Sequence, residues 1–290
     1  MNLSQRPRRS SGTSYSVVRA FGAAAVDALT ERARRTWSAG DYDRIAAGMR
    51  HDAQAFVDRL GLARGDRVLD LACGSGNLTI PAARVGATVT GLDLVPSLLR
   101  HAAAWADREG LGVALDEGSA EALPYEAARF DVVMSMFGAM FAARPERVVA
   151  ELARVTRPGG RVVLANWTSD GFMGQLLALH TTVAPLPHDV ASPLLWADEA
   201  TLRTRFDAAT WRLATVPRAL TFRFPHTPGG TAELFRAAYP PTVRAFEALD
   251  EDRRAVFADE LAALWTRHRR EEAVWTEVDA AYLEVVAIRR

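Results

Sequence analysis

Two carboxylates stand at the ends of short apolar runs: Asp70 in Val68-Leu69-Asp70-Leu71, and Asp93 closing Gly91-Leu92-Asp93. The first run continues into Ala72-Cys73-Gly74-Ser75-Gly76-Asn77. A strand that runs into glycines lets backbone approach a ligand closely, because glycine has no Cβ in the way. An acid at the end of the following strand can accept both hydroxyls of a ribose in the crevice outside the strand ends. The loop alone also matches part of a dinucleotide fingerprint, whose third glycine would fall where Thr79 stands. That substitution weakens a pyrophosphate reading, and capping the next helix is the plainer role open to Asp93.

Three more segments follow in order: Gly118-Ser119-Ala120-Glu121, Phe130 to Phe137 with Met136 near its end, and Val155 to Gly160. With the first two they resemble the class I S-adenosylmethionine-dependent methyltransferases, above all the group similar to ubiquinone and menaquinone biosynthesis enzymes. The resemblance is strong over residues 40–168. It implies S-adenosylmethionine as cofactor, with the Ala72 carbonyl and the Gly74 region on the methionyl part and Met136 opposite. It places Asp93 on the ribose, Leu94 on the adenine face, and Ser119 and Ala120 at the adenine edge. Cys73, Gly76 and Asn77 complete the loop, and Tyr42 resembles an aromatic that covers the cofactor in relatives. Members usually carry Asp where Ser119 stands; Ser can accept a bond there but lacks the charge. Cys73 reads as a small loop residue rather than a nucleophile, and Asp70 as an acid that orients the loop.

The chemistry implied is in-line methyl transfer, in which alignment and exclusion of water matter most. A general base assists when the acceptor is a hydroxyl. Of the six histidines, His180 and His188 flank the linker after the fifth strand and are the base candidates. Asp131, at the start of its strand, is excluded. The expected acceptor is a small molecule, a hydroxyl or amine of a secondary metabolite in natural product biosynthesis. Its pocket would draw on Phe137, Met140, Phe141, Trp167, Phe172, Met173 and Trp196. The alternatives are tailoring of a peptide natural product and cofactor binding without transfer. A nucleic-acid enzyme fits poorly: Ser135-Met136-Phe137-Gly138 replaces the proline-rich motif of amino-group enzymes, and no Pro-Cys pair exists.

These residues must be positioned by repeated strand-then-helix units. Arg67–Leu71, Thr88–Leu92, Val113–Leu115, Phe130–Met136 and Arg161–Asn166 read as strands, with Arg157-Pro158-Gly159-Gly160 as a tight turn before the last. Helices run from Asn77, Pro96 and Pro145, proline being favoured at a first helical position. The expected fold is α/β, a doubly wound, mostly parallel seven-stranded Rossmann-like sheet with its last strand antiparallel and an added helical cap. Residues 1–16 read as a disordered basic tail, 17–62 as N-terminal helices covering the site, and 63–170 as the cofactor-binding core. Residues 171–290 finish the sheet, with helical insertions that form the acceptor pocket.

Composition narrows the rest. Thirty-five basic residues balance thirty-five acidic ones, against bulk attraction for nucleic acid. Every basic residue is Arg, and Ile and Asn are scarce, the mark of GC-rich coding. No apolar run nears the ~20 residues of a membrane span. A single Cys excludes an internal disulfide and any multi-cysteine metal site, in keeping with a cytoplasmic protein. A homodimer is left open.

Overall fold

The computed structural model describes residues 14–16 and 27–290. Strands β2 (Arg67–Leu71), β3 (Thr88–Asp93), β4 (Ala114–Glu117), β5 (Phe130–Met136) and β6 (Thr156–Trp167) run parallel to one another. A terminal strand β8 (Thr276–Arg289) lies antiparallel between β6 and β7 (Trp211–Phe224). The spatial order is β4-β3-β2-β5-β6-β8-β7, the expected seven-stranded sheet, and β1 (Ser14–Ser16) adds an eighth strand beside β4. Ser14–Ser16 fall within the segment read as a disordered tail; the remainder of that tail, like residues 17–26, lies outside the described residues.

Strand order reverses between β2 and β5, so the chain leaves neighbouring strand ends in opposite directions. That divergence opens a crevice at the carboxyl ends of β2, β3 and β5. Helices α4 (Thr79–Val85), α5 (Pro96–Glu109) and α6 (Pro145–Val155) are the crossovers, and Pro96 and Pro145 start theirs as expected. Gly86 and Gly110 end α4 and α5 in left-handed conformations that cost other residues more.

The covering helices are α1 (Ala28–Trp37), α2 (Tyr42–Ala46) and α3 (Arg50–Leu60). Asp27 caps α1 by accepting the Thr30 N–H at 3.0 Å. Asp41 makes no side-chain cap to α2. A 3-10 turn, Ala47–Met49, separates α2 from α3 where the Phe224 ring presses on Gly48; a Cβ there would come within 2.8 Å of it. After β6 come α7 (Phe172–Val183), α8 (Glu199–Arg205), α9 (Pro228–Ala238), α10 (Pro240–Glu247) and α11 (Glu251–His268). Asp198 caps α8, and Tyr239 is the joint between α9 and α10.

Among the expected parallel strands, the largest shift of a boundary is at the start of β6. The proposed turn at Arg157–Gly160 is absorbed into β6, with a register irregularity between Phe130 and Val132 that takes up its extra residues. β7 begins at Trp211 and β8 at Thr276, and the two pair along fourteen residues each. No helix among the described residues is long and apolar enough to cross a membrane.

Candidate functional site

At the carboxyl ends of β2, β3 and β5 a cleft of about 1130 Å³, its open mouth included, is bounded above by α1 and α2. Of the expected cofactor residues, Tyr42, Ala72, Cys73, Gly74, Asn77, Asp93, Leu94, Ser119, Ala120 and Met136 all line it. Gly76 does not. Its φ of +96° makes the turn, and a Cβ would meet the Ala102 Cβ at 3.2 Å, so this glycine seats the loop against α5 instead.

The loop after β2 is held from both sides. Ala72 adopts φ +57°, a left-handed conformation unfavourable for alanine, directly opposite Gly138. A Cβ on Gly138 would lie 2.5 Å from the Ala72 Cβ, so only glycine allows the loops after β2 and β5 to cross this closely. The Ser135 hydroxyl ties the two strands by donating to the Leu71 carbonyl at 2.6 Å and accepting the Ala139 N–H at 3.1 Å. Phe137, also left-handed at φ +60°, stacks on Trp167 with ring centroids 3.4 Å apart.

Asp93 accepts the Gly74 N–H at 2.8 Å on one oxygen and the Val95 N–H at 2.9 Å on the other. It therefore both closes the loop and heads α5, and each oxygen keeps a lone pair for another donor. Burial pushes its carboxyl up to about 6, against the pull of those backbone donors. Asp70 is buried and accepts the Thr79 hydroxyl at 2.6 Å. Burial, with the Asp93 charge adding to it, pushes Asp70 up to about 7. Thr79, the residue that breaks the dinucleotide fingerprint, is thus the hydrogen-bond partner of the loop acid. Cys73 is buried, and burial with two neighbouring carboxylates raises its thiol well above the ordinary range, the opposite of an activated nucleophile.

The residues fit an adenosyl sulfonium ligand. Among the described residues, the cleft offers its two buried acids no cation, and the buried Ser75 Oγ and Asn77 Oδ1 have no partner. The Asn77 amide donates to the Ala46 carbonyl at 2.8 Å, anchoring α2 to the loop. At the far end, Ser119 accepts the Glu121 N–H at 3.2 Å, so its hydroxyl still has a proton and a lone pair to offer. The Glu121 carboxylate is bonded to Arg144, through the Arg144 N–H at 2.9 Å and the guanidinium at 2.6 Å. Arg144 also pairs with Asp27 at 2.8 Å, and Arg34 with Glu117, so two ion pairs fasten α1 over this end.

Behind the cleft lies a narrow recess, about 280 Å³ with its open solvent included, reached past Trp37, Tyr42, Met49, Phe137 and Phe141, which line both spaces. Trp167, Met173, Phe222, Phe235 and Tyr239 form its depth. Of the aromatic and Met residues expected here, Phe137, Phe141, Trp167 and Met173 are in place. Met140, Phe172 and Trp196 are core residues that line neither space. Trp37, Phe222, Phe235 and Tyr239 were not foreseen; each sits in an ordinary amphipathic pattern that marks burial without marking a cavity.

Neither histidine candidate reaches these spaces. His180 is packed inside between α7 and α10, its Nε2 2.9 Å from the Thr242 hydroxyl, and burial pushes its imidazole down to about 3. His188 is exposed on the linker. A base acting on an acceptor beside the donor would have to stand in the cleft or chamber, so both assignments are corrected. Asp131 is at the opposite end of the sheet, paired with Arg67 and Arg157, as its exclusion required. No cluster of three or more metal-ligating side chains occurs among the described residues.

Comparison with known proteins bears on the same region. Residues 69–164 match a family profile described as a methyltransferase domain. An uncharacterized protein of Mycobacterium tuberculosis, Rv1403c, is 40% identical over 218 residues, 74% of this chain and 80% of that one. The ubiquinone biosynthesis O-methyltransferase of Maricaulis maris is 32% identical over 154 residues, half of this chain and 60% of its own. Among solved structures, the YcgJ protein of Bacillus subtilis superposes with a TM-score of 0.57 at 17% identity, covering 83% of this chain and 99% of that one.

Proposed function

Because the chain belongs to the class I S-adenosylmethionine-dependent methyltransferases, we propose that it methylates a compact, largely apolar molecule, at a hydroxyl or amine of a secondary metabolite. The observation that carries this reading is the pairing of an acidic cleft at the strand ends with an aromatic chamber directly behind it. When bound, S-adenosylmethionine supplies an activated methyl group on a sulfonium centre.

The residues of the chain then have divided tasks. Asp93 accepts from the ribose while its bonds to Gly74 and Val95 hold it rigid. Asp70 supplies negative charge beneath the loop. Asn77 and Ser75 present unpartnered polar atoms to the methionyl end. Leu94 packs on the adenine, and Ser119 meets its edge. Helix α1 excludes water from above, and Phe137 lines both the cleft and the recess behind it. The narrowness of the aromatic recess favours a compact acceptor over a peptide. A cytoplasmic setting belongs to the same proposal, supported by the one cysteine being an unpaired buried thiol.

The test is calorimetric titration of S-adenosylmethionine into wild-type protein and Asp93→Ala. Loss of paired hydrogen bonds to a charged group predicts a Kd raised by about two orders of magnitude. Unchanged affinity would overturn the site. Formation of S-adenosylhomocysteine with an acceptor panel then separates a transferase from a binding protein.

A further inference from the structure

Among the described residues, the charged side chains that line the cleft are three carboxylates, and they are compensated unequally. Glu121 is neutralised by the Arg144 guanidinium at 2.6 Å. Asp93 accepts the backbone N–H groups of Gly74 and Val95. Asp70 is 1% exposed, and Thr79 is its one hydrogen-bond partner among the described residues. The other titratable groups on the cleft are the Cys73 thiol and the Tyr42 phenol; burial raises both, so neither carries charge at neutral pH. A buried carboxylate with only a neutral partner attracts whatever cation the cleft admits, and the low local dielectric strengthens that pull.

We propose that Asp70 is the residue by which the cleft reads ligand charge. It favours S-adenosylmethionine, cationic at sulfur, over S-adenosylhomocysteine, which is neutral there. This rests on the cofactor reading above and adds product release to it. Methyl transfer breaks the sulfur–methyl bond, leaves its electron pair on sulfur and joins the methyl to a lone pair of the acceptor. The ligand left in the cleft thus has one positive charge fewer, while Asp70 keeps its negative one. Asp93 contributes less to the difference, because its bonds go to backbone and ribose, which both ligands meet alike. The Thr79 hydroxyl, donating from α4 at 2.6 Å, holds the Asp70 carboxylate in place. Burial pushes that carboxyl up to about 7, so the discrimination is present above this pH and fades below it as Asp70 takes up a proton.

The experiment is calorimetric titration of both ligands into wild type and Asp70→Asn at pH 7.5 and pH 5.5, read as the ratio of the two Kd values. Asn keeps an acceptor for the Thr79 hydroxyl, and a ratio is blind to any loss that both ligands share. Wild type is expected to prefer S-adenosylmethionine at pH 7.5. Asp70→Asn should cut that preference by about tenfold, the lower end of what an opposite charge beside a carboxylate is worth. The wild-type preference should also shrink at pH 5.5, and by more than that of the variant, where Asp93 is the cleft acid still titrating. At pH 6.5, titrations in two buffers of different ionisation enthalpy should show S-adenosylmethionine releasing more protons from wild type than S-adenosylhomocysteine does, since a cation favours the ionised carboxylate. A ratio that Asp70→Asn changes less than twofold, a wild-type ratio equal at the two pH values, or equal proton release by both ligands would each overturn the inference. Should the variant bind neither ligand, the wild-type pH series and proton counts decide. Failure of both ligands to bind wild type overturns the cofactor reading and the inference with it, whereas binding in an unchanged ratio sinks the inference alone.

Discussion

Burying a carboxylate disfavours its charged form, and Asp70 and Asp93 share one wall of the cleft with values pushed up to about 7 and about 6. An unfolded Asp titrates near ~3.9, so between that value and 7 the folded chain holds more protons than the unfolded one. Stability from Asp70 is therefore fully present below pH ~4 and falls as pH rises toward 7, by on the order of 4 kcal/mol. Asp70→Asn keeps an acceptor for the Thr79 hydroxyl and removes the titration. The wild-type-minus-variant difference in unfolding free energy, from urea melts at pH 4 and pH 8, should become more negative at the higher pH; a flat difference overturns the assignment. This half of the site was legible because its residues are contiguous: a strand, a glycine turn and an acid carry the signal within ten positions. The histidines misled because a protonatable side chain looks the same in sequence whether it faces a cleft or a core. His180 lies on a helix whose neighbours Leu176 and Leu177 are equally buried, and only packing reveals that its partner is Thr242.

Helix α1 has no fully buried residue, and its place depends on its ends. In the last turn Trp37 packs edge-on against Phe141, Tyr42 and Tyr239 and Arg34 pairs with Glu117, while at the first turn Asp27 pairs with Arg144. Because little apolar area holds it, local opening should lie far below the global unfolding free energy. Arg144→Met cuts the link from Glu121 to Asp27; hydrogen exchange across residues 28–37 is expected to quicken about tenfold, with β2 and β3 unchanged. Exchange that quickens equally in β2 would show a general loss of stability instead. At this scale the sequence was readable for the parallel strands, whose continuous apolar runs are bounded by glycine or proline. It was less readable for β7 and β8. Arg212, Arg218 and Glu277 break their apolar pattern, yet the two strands pair over their full length because each supplies the other's backbone partners.

Across the whole molecule, the sheet is joined by β8. It is the hydrogen-bonded neighbour of both β6 and β7, which do not touch one another in the strand order. Two ion pairs reinforce the junction, Glu284 of β8 meeting Arg59 at 2.9 Å and Arg218 at 3.1 Å. A chain ending at residue 275 would leave β7 with no neighbouring strand and expose the apolar edge of β6, so it should give no cooperative thermal transition by circular dichroism. A sharp transition in that truncated chain would show that the first six strands suffice. The fold class was legible from the order of elements, whereas the chamber was not, since its walls come from positions as far apart as Trp37 and Tyr239. The inserted strand also sets a timetable for biosynthesis. On the ribosome, β6 emerges more than a hundred residues before the strand that covers its edge, and α9, α10 and α11 follow while that edge is bare. The nascent protein thus passes through a long interval with an open sheet, when a holding chaperone has most to offer and a stalled ribosome does most harm.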